Sequence, residues 1–68
     1  MNNRITIRLA RLQSLETLRI AKKTLGKFLE GRDMQYTSDV RVNGVVKPEG
    51  YSLRANDIVT IVGDVSNG

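Results

Sequence analysis

Two stretches of this chain, one near each end, alternate apolar residues in a way that narrowly limits its fold. The positions concerned are Ile5, Ile7 and Leu9 near the start, and Val59 and Ile61 near the end. β-Branched residues are common in both stretches, and a period of two directs successive side chains to opposite faces of a sheet. The sequence therefore predicts a strand over 4–11 and a final strand whose pattern stops at Gly63.

A second strand is predicted over 16–21, joined to the first by a short hairpin loop. Thr17, Arg19 and Ala21 alternate there with apolar residues. The alternative is one long helix over 12–29, because several leucines fall near helical spacing. The first strand needs a pairing partner, and the threonines and isoleucine in this stretch are indifferent helix formers, so we prefer the hairpin.

One short helix is predicted over about 24–32. Thr24 can cap it by accepting a hydrogen bond from a free backbone N–H, and Gly31 is the expected stop. Three apolar residues then share one face of the helix, namely Leu25, Phe28 and Leu29. Phe28 is the only phenylalanine and there is no tryptophan, so we expect its ring at the centre of the core.

The remaining pattern predicts short strands and tight turns. A third strand over 39–43 leads into Asn43-Gly44, a strong turn signal because both residue types tolerate positive φ. A short strand at 45–46 and a brief return at 51–53 follow. The order of elements predicts one α+β domain over 1–68, in which one helix packs across a mixed sheet of four to five strands. With the first and last strands parallel at the centre, this is the ubiquitin-like β-grasp arrangement.

Composition excludes several classes of function. The chain has no cysteine and no histidine, which removes disulfides, the commonest metal ligands and the usual general base. The acids are isolated, and Asp57 is expected to fix a turn rather than to do chemistry. No apolar run approaches the roughly 18 residues of a membrane span, and the first residues do not resemble a signal peptide. We expect a cytoplasmic, non-enzymatic protein without a cofactor or a membrane partner.

The formal net charge is +4, from eleven lysines and arginines against seven acidic residues. A basic excess favours acidic partners, including nucleic acid, through long-range attraction. Solubility alone is the alternative explanation, since a charge of this size also keeps small domains apart.

Strand alternation predicts which side chains point away from the core, on the outer face of the sheet. They are Thr6, Arg8, Arg19, Arg41, Thr60 and Val62. Three arginines would then share one face, either as a solvated surface or as a docking surface for an acidic protein partner with Val62 as a small apolar anchor. Direct RNA binding is a weaker hypothesis, because only two tyrosines are available for stacking on bases.

Three motifs resemble the ThiS/MoaD-type sulfur carriers, which are ubiquitin-like proteins. They are Thr24-Leu25-x-x-Phe28-Leu29-Glu30, Val40-Arg41-Val42-Asn43-Gly44 and Leu53-x-x-x-Asp57-x-Val59-x-Ile61. The resemblance implies a partner adenylating enzyme that activates a C-terminal glycine carboxylate, which then becomes a thiocarboxylate. Here Gly68 matches that glycine, and Asn67 stands where the family has a second glycine. Residues 63–68 are accordingly predicted to form a flexible tail.

A second resemblance rests on the stretch from Arg41 to Pro48, followed by Leu53 and Asp57. This stretch is similar to the hairpin of a small RNA-binding module found in a ribosomal small-subunit protein and in pseudouridine synthases. That module places two helices before its hairpin, so it implies that residues 5–31 are helical. The alternation near the start of the chain favours the carrier-like arrangement instead.

Overall fold

The computed structural model describes residues 3–62, and its elements follow the predicted order. They are β1 (Arg4–Arg11), β2 (Ser14–Ala21), α1 (Leu25–Gly31), β3 (Val40–Val42), β4 (Val45–Val46) and β5 (Ile58–Ile61). The prediction of a flexible tail over 63–68 lies outside the described residues.

The described strands form one mixed sheet in the order β2-β1-β5-β3-β4. β1 and β5 are parallel neighbours, and every other pairing is antiparallel. The predicted α+β class, the mixed sheet and its parallel centre are confirmed. β2 begins at Ser14 rather than at the predicted residue 16, so the hairpin loop between β1 and β2 has only two residues. The alternative prediction of one long helix over 12–29 is wrong. The RNA-binding module requires residues 5–31 to be helical, and this expectation is wrong as well.

The core lies between α1 and one face of the sheet. Its buried members are Ile7, Leu9, Leu25, Phe28, Leu29, Val40, Val42, Leu53 and Val59. Phe28 is 4% exposed, as expected for a core ring. Burying these side chains stabilises the fold by about 25 cal/mol for each Å² of apolar surface removed from water. No helix within residues 3–62 is long and apolar enough to cross a bilayer.

The ends of α1 are defined by one predicted cap and one unpredicted turn. The Thr24 hydroxyl accepts a hydrogen bond from the Lys27 N–H at 3.3 Å, as expected for an N-cap. The helix ends at Gly31, but the left-handed residue is Asp33, with φ of 60°. Gly31 therefore does not supply the positive φ that commonly ends a helix.

The start of α1 is held against the loop between β4 and β5. The Leu25 N–H donates to the Tyr51 carbonyl at 2.8 Å, and the Gly26 N–H donates to the Glu49 carbonyl at 2.9 Å. A Cβ on Gly26 would lie 2.7 Å from Cγ of Glu49 and 3.2 Å from its carbonyl oxygen. Gly26 lowers helix propensity, but it permits this close approach of helix and loop.

Candidate docking surface

The strand register places the predicted arginines on the face of the sheet opposite α1, here called the outer sheet face. Ile7 and Leu9 are fully buried on the helix side, so their neighbours in β1 point the other way. Arg8 is exposed between them. Across the sheet, Arg19 pairs with Thr6 and Arg41 pairs with Thr60. The Arg19 guanidinium also donates to the Thr6 hydroxyl at 3.3 Å, so these two side chains meet on this face.

One row of paired residues crosses all five strands of the outer sheet face. From one edge to the other it consists of Leu15, Ala10, Thr60, Arg41 and Val46. Strands lie about 4.8 Å apart, so the row is roughly 19 Å long. Leu15 is 63% exposed at one end and Val46 is 47% exposed at the other, with small residues between Leu15 and Arg41. The row is therefore a shallow strip with apolar ends and one cation, Arg41, next to Val46.

Charges are separated between the two faces of the sheet. Within the described strands, the outward positions carry Arg4, Arg8, Arg19 and Arg41 and no acidic residue. Acidic Glu16 points to the helix side, where its carboxylate lies 3.1 Å from the Arg32 guanidinium. Glu30 lies on α1, 3.9 Å from the Lys27 ammonium. The outer sheet face thus carries much of the basic excess of the chain.

Exposed apolar residues gather at one end of the sheet, here called the apolar end. β1 and β5 are parallel, so Leu12, which follows β1, and Val62, which follows β5, lie at the same end. Leu15 begins the return strand there. Leu12 is 78% exposed and Val62 is 39% exposed, and the Val62 N–H donates to the Asp39 carbonyl at 2.9 Å. The predicted apolar anchor Val62 therefore has two leucines at its end of the sheet.

Sequence reasoning missed Leu15 and Val46 as members of this surface. The predicted strand begins at residue 16 and so places Leu15 in the loop, although Leu15 continues the outward series of Thr17 and Arg19. Extending the alternation by two residues would have found it. Val46 could not be assigned to a face in the same way, because a strand of two residues is too short to show alternation.

A buried carboxylate organises the turn before β5. Asp57 is 5% exposed, and its carboxylate oxygens accept hydrogen bonds from the Asn43 amide, the Tyr51 hydroxyl and the Arg54 N–H, each at 2.9 Å. The side-chain oxygen of Asn43 accepts in turn from the Ile58 N–H at 3.0 Å. The structure agrees with a turn-fixing role for Asp57, since these bonds tie two loops to the start of β5.

The electrostatics of this cluster follow from its hydrogen bonds. Burial alone raises the pKa of Asp57, but the donors Arg54, Asn43 and Tyr51 outweigh it and hold the pKa below its usual value. The hydrogen bond to Asp57 raises the pKa of the Tyr51 hydroxyl, and burial and the negative charge of Asp57 add to the increase. Asp57 is therefore a charged structural residue at neutral pH.

An open groove of about 620 Å³ lies beside α1, on the helix side of the sheet. Its lining includes Lys27, Glu30, Met34, Tyr36 and Glu49. The charges are mixed, and the chain has no histidine or cysteine to add chemistry there. Among residues 3–62 no group of three acidic side chains is placed to hold a metal ion. The groove does not point to a particular ligand.

The predicted carrier residues Asn67 and Gly68 lie outside the described part of the chain. The predicted face residues Arg8, Arg19, Arg41 and Thr60 are brought together, with Val62 at the apolar end. No protein-family model, no curated protein and no solved structure matches this chain.

Proposed function

We propose that this chain is a small docking protein of the β-grasp type, without catalytic residues of its own, that binds an acidic partner protein through its outer sheet face. The observation that carries the proposal is the separation of charge. Within the described strands, the outward positions carry arginines and no acidic residue, and exposed Leu15, Val46 and Val62 border them. A cationic surface with an apolar margin suits a partner that combines carboxylates with apolar side chains.

A protein partner fits this surface better than single-stranded nucleic acid does. Single strands are usually held by aromatic side chains on which bases stack. Phe28 is buried in the core, and Tyr36 and Tyr51 pack against the core from the helix side. The outer sheet face therefore offers cations and aliphatic groups, but none of the three aromatic rings of the chain.

The test reverses the charge of Arg8, Arg19 and Arg41 together to glutamate. A matched control reverses Lys22, Lys27 and Lys47, which changes the net charge equally. Partners are captured from a nuclease-treated lysate of cells that encode the chain, and binding of the purified partner is then measured directly. The arginine variant should lose binding while the lysine variant keeps it, and affinity should fall as salt screens the contacts. Equal binding by both variants would contradict the proposal. So would a partner that is captured only when the nuclease treatment is left out.

A second candidate is the carrier function, favoured by the position of β5. β5 lies at the centre of the sheet, and Val62 leads out of it at the apolar end. An enzyme that docks on the outer sheet face would thus stand near Val62, after which the sequence continues to Gly68. In this proposal the enzyme transfers AMP from ATP to the Gly68 carboxylate with release of pyrophosphate, and a sulfur donor then displaces AMP.

The carrier function is tested on a chain that ends at Gly68, using the adenylating enzymes of the same genome with ATP and a sulfide donor. Intact-mass spectrometry should show replacement of one oxygen by sulfur. Removing Gly68 should abolish the product, and Asn67→Gly should maintain or increase it because glycine leaves more room in a narrow slot. If neither the parent nor Asn67→Gly forms the adenylate, the carrier function is refuted and docking remains as the proposed function.

A further inference from the structure

One edge of the sheet is long and open. β2 spans the eight residues Ser14–Ala21 and pairs with β1 on one side only. Within residues 3–62 nothing pairs with its other side. The opposite edge strand, β4, has only two residues. The two edges therefore differ greatly in how much unpaired backbone they present.

The register identifies which backbone groups of β2 are unpaired. The Lys22 N–H donates to the Asn3 carbonyl at 2.8 Å, which extends the ladder between β1 and β2. Hydrogen-bonded and non-bonded pairs alternate in an antiparallel ladder, so the even-numbered residues of β2 bond to β1. The N–H and C=O groups that point away from the sheet belong to Leu15, Thr17, Arg19 and Ala21. The Arg8 N–H, which donates to the Asp57 carbonyl on the β5 side, fits the same alternation.

Natural edge strands are usually protected from pairing with other chains. Common devices are proline, a β-bulge, a short strand, charged side chains or a covering loop. β2 has no proline or glycine, and its eight residues pair with β1 without a bulge. The charged pair of Glu16 and Arg32 protects only the end of β2 that lies near the hairpin loop. Within residues 3–62, the rest of the strand carries only Arg19 as a charged device, and its outward backbone groups can pair with another strand.

The side chains of β2 define what an added strand must carry. On the helix side, Leu18 and Ile20 are half-buried and would be covered by apolar side chains. On the outer side, Arg19 is exposed and the Arg8 position lies one strand further in. Neighbouring strands place paired residues on the same face, so a segment with apolar residues opposite Leu18 and Ile20 and an acidic residue opposite Arg19 complements this edge.

We propose that the free edge of β2 binds an extended segment of a partner protein, in which apolar and acidic residues alternate, by antiparallel strand addition. Main-chain hydrogen bonds to Leu15, Thr17, Arg19 and Ala21 supply much of the affinity, and side-chain alternation supplies the specificity. A second copy of this chain is a poorer occupant, because each copy carries a net charge of +4 and pairing two β2 strands would bring their arginines together. This site uses the backbone edge of β2 and shares Arg19 with the outer sheet face, whereas Arg41 belongs to the outer sheet face alone.

The experiment uses a soluble seven-residue peptide of alternating glutamate and valine, followed by NMR titration of the full chain. Binding should shift the amides of Leu15, Thr17, Arg19 and Ala21 and slow their hydrogen exchange. Thr17→Pro removes one outward N–H and should weaken binding at least tenfold, whereas the control Thr17→Val should bind as the parent does. Proline at an edge position whose N–H faces solvent is compatible with a strand. Arg41→Glu, three strands away, should leave peptide binding unchanged although it weakens outer-face docking.

Two N-methylated peptides make the test independent of how Thr17→Pro folds. In antiparallel addition the glutamates lie opposite the outward-facing residues of β2, so their N–H groups point at the edge. Methylating the glutamate nitrogens should abolish binding, and methylating the valine nitrogens should spare it. Equal binding by the two peptides, or no binding of the unmethylated peptide, would overturn the proposal. So would a dimer of the parent chain that Thr17→Pro dissociates, because the edge would then belong to a second copy.

Discussion

Replacing Asp57 by alanine is expected to remove a large share of the stability of this fold. The substitution leaves three donors without their acceptor, namely the Asn43 amide, the Tyr51 hydroxyl and the Arg54 N–H. Hydrogen bonds to a charged group contribute roughly 1.5–3 kcal/mol each, but water can replace part of this near the surface. We therefore expect a loss of about 3–4 kcal/mol. A chain of 68 residues at roughly 0.05–0.15 kcal/mol per residue has only about 3–10 kcal/mol to lose.

The stability that the Asp57 carboxylate contributes should be lost as the pH is lowered. The pKa of Asp57 is held below its usual value because hydrogen bonds from Arg54, Asn43 and Tyr51 outweigh the opposing effect of burial. Stability from such a group is present above the unfolded pKa of about 3.9 and is lost as pH falls through the lower folded pKa. The difference between the parent and Asp57→Asn should thus be full at pH 7 and should shrink below about pH 4.

Urea unfolding followed by far-ultraviolet circular dichroism measures both effects. Asp39→Ala is the control, because Asp39 is exposed and its carboxylate lies outside the cluster. Its free energy of unfolding should stay within about 0.5 kcal/mol of the parent value. If Asp57→Ala at pH 7 is as stable as Asp39→Ala, the three hydrogen bonds do not stabilise the fold and the reasoning is refuted.

Three further predictions concern the core, the start of the helix and the titration of the cluster. Phe28→Ala should cost roughly 3–5 kcal/mol and leave the chain largely unfolded in a thermal melt, whereas a melt close to the parent's would place the ring at the periphery. Gly26→Ala should lower the melting temperature despite a propensity gain of about 1 kcal/mol, because its Cβ would meet loop atoms at 2.7 and 3.2 Å. A Cβ on Gly31 would have no such neighbour within 4 Å, so Gly31→Ala should not lower the melting temperature. Ultraviolet titration should find Tyr51 ionising above its usual pKa of 10.0, and Asp57→Asn should bring that pKa back down.

The strands and the helix were largely predictable because their signals are local. Alternation with a period of two is a property of the strand backbone itself, so Ile7 and Leu9 could be assigned to the core face before any partner was known. Thr24 could be identified as a cap for the same reason, since the bond it makes is three residues away. The arginines of the outer sheet face followed from the same alternation.

The sequence by itself determined the order of the strands and the helix, and which face each of the longer strands turns to the core. Only the tertiary structure decided that Asp57 joins Asn43 to Tyr51, that Gly26 lies against the loop at residue 49, and that β2 is an edge strand of the sheet formed by residues 3–62. These features depend on contacts between residues far apart in sequence. Their positions are set by how the helix and sheet pack together, because no local preference of the backbone specifies which distant groups become neighbours.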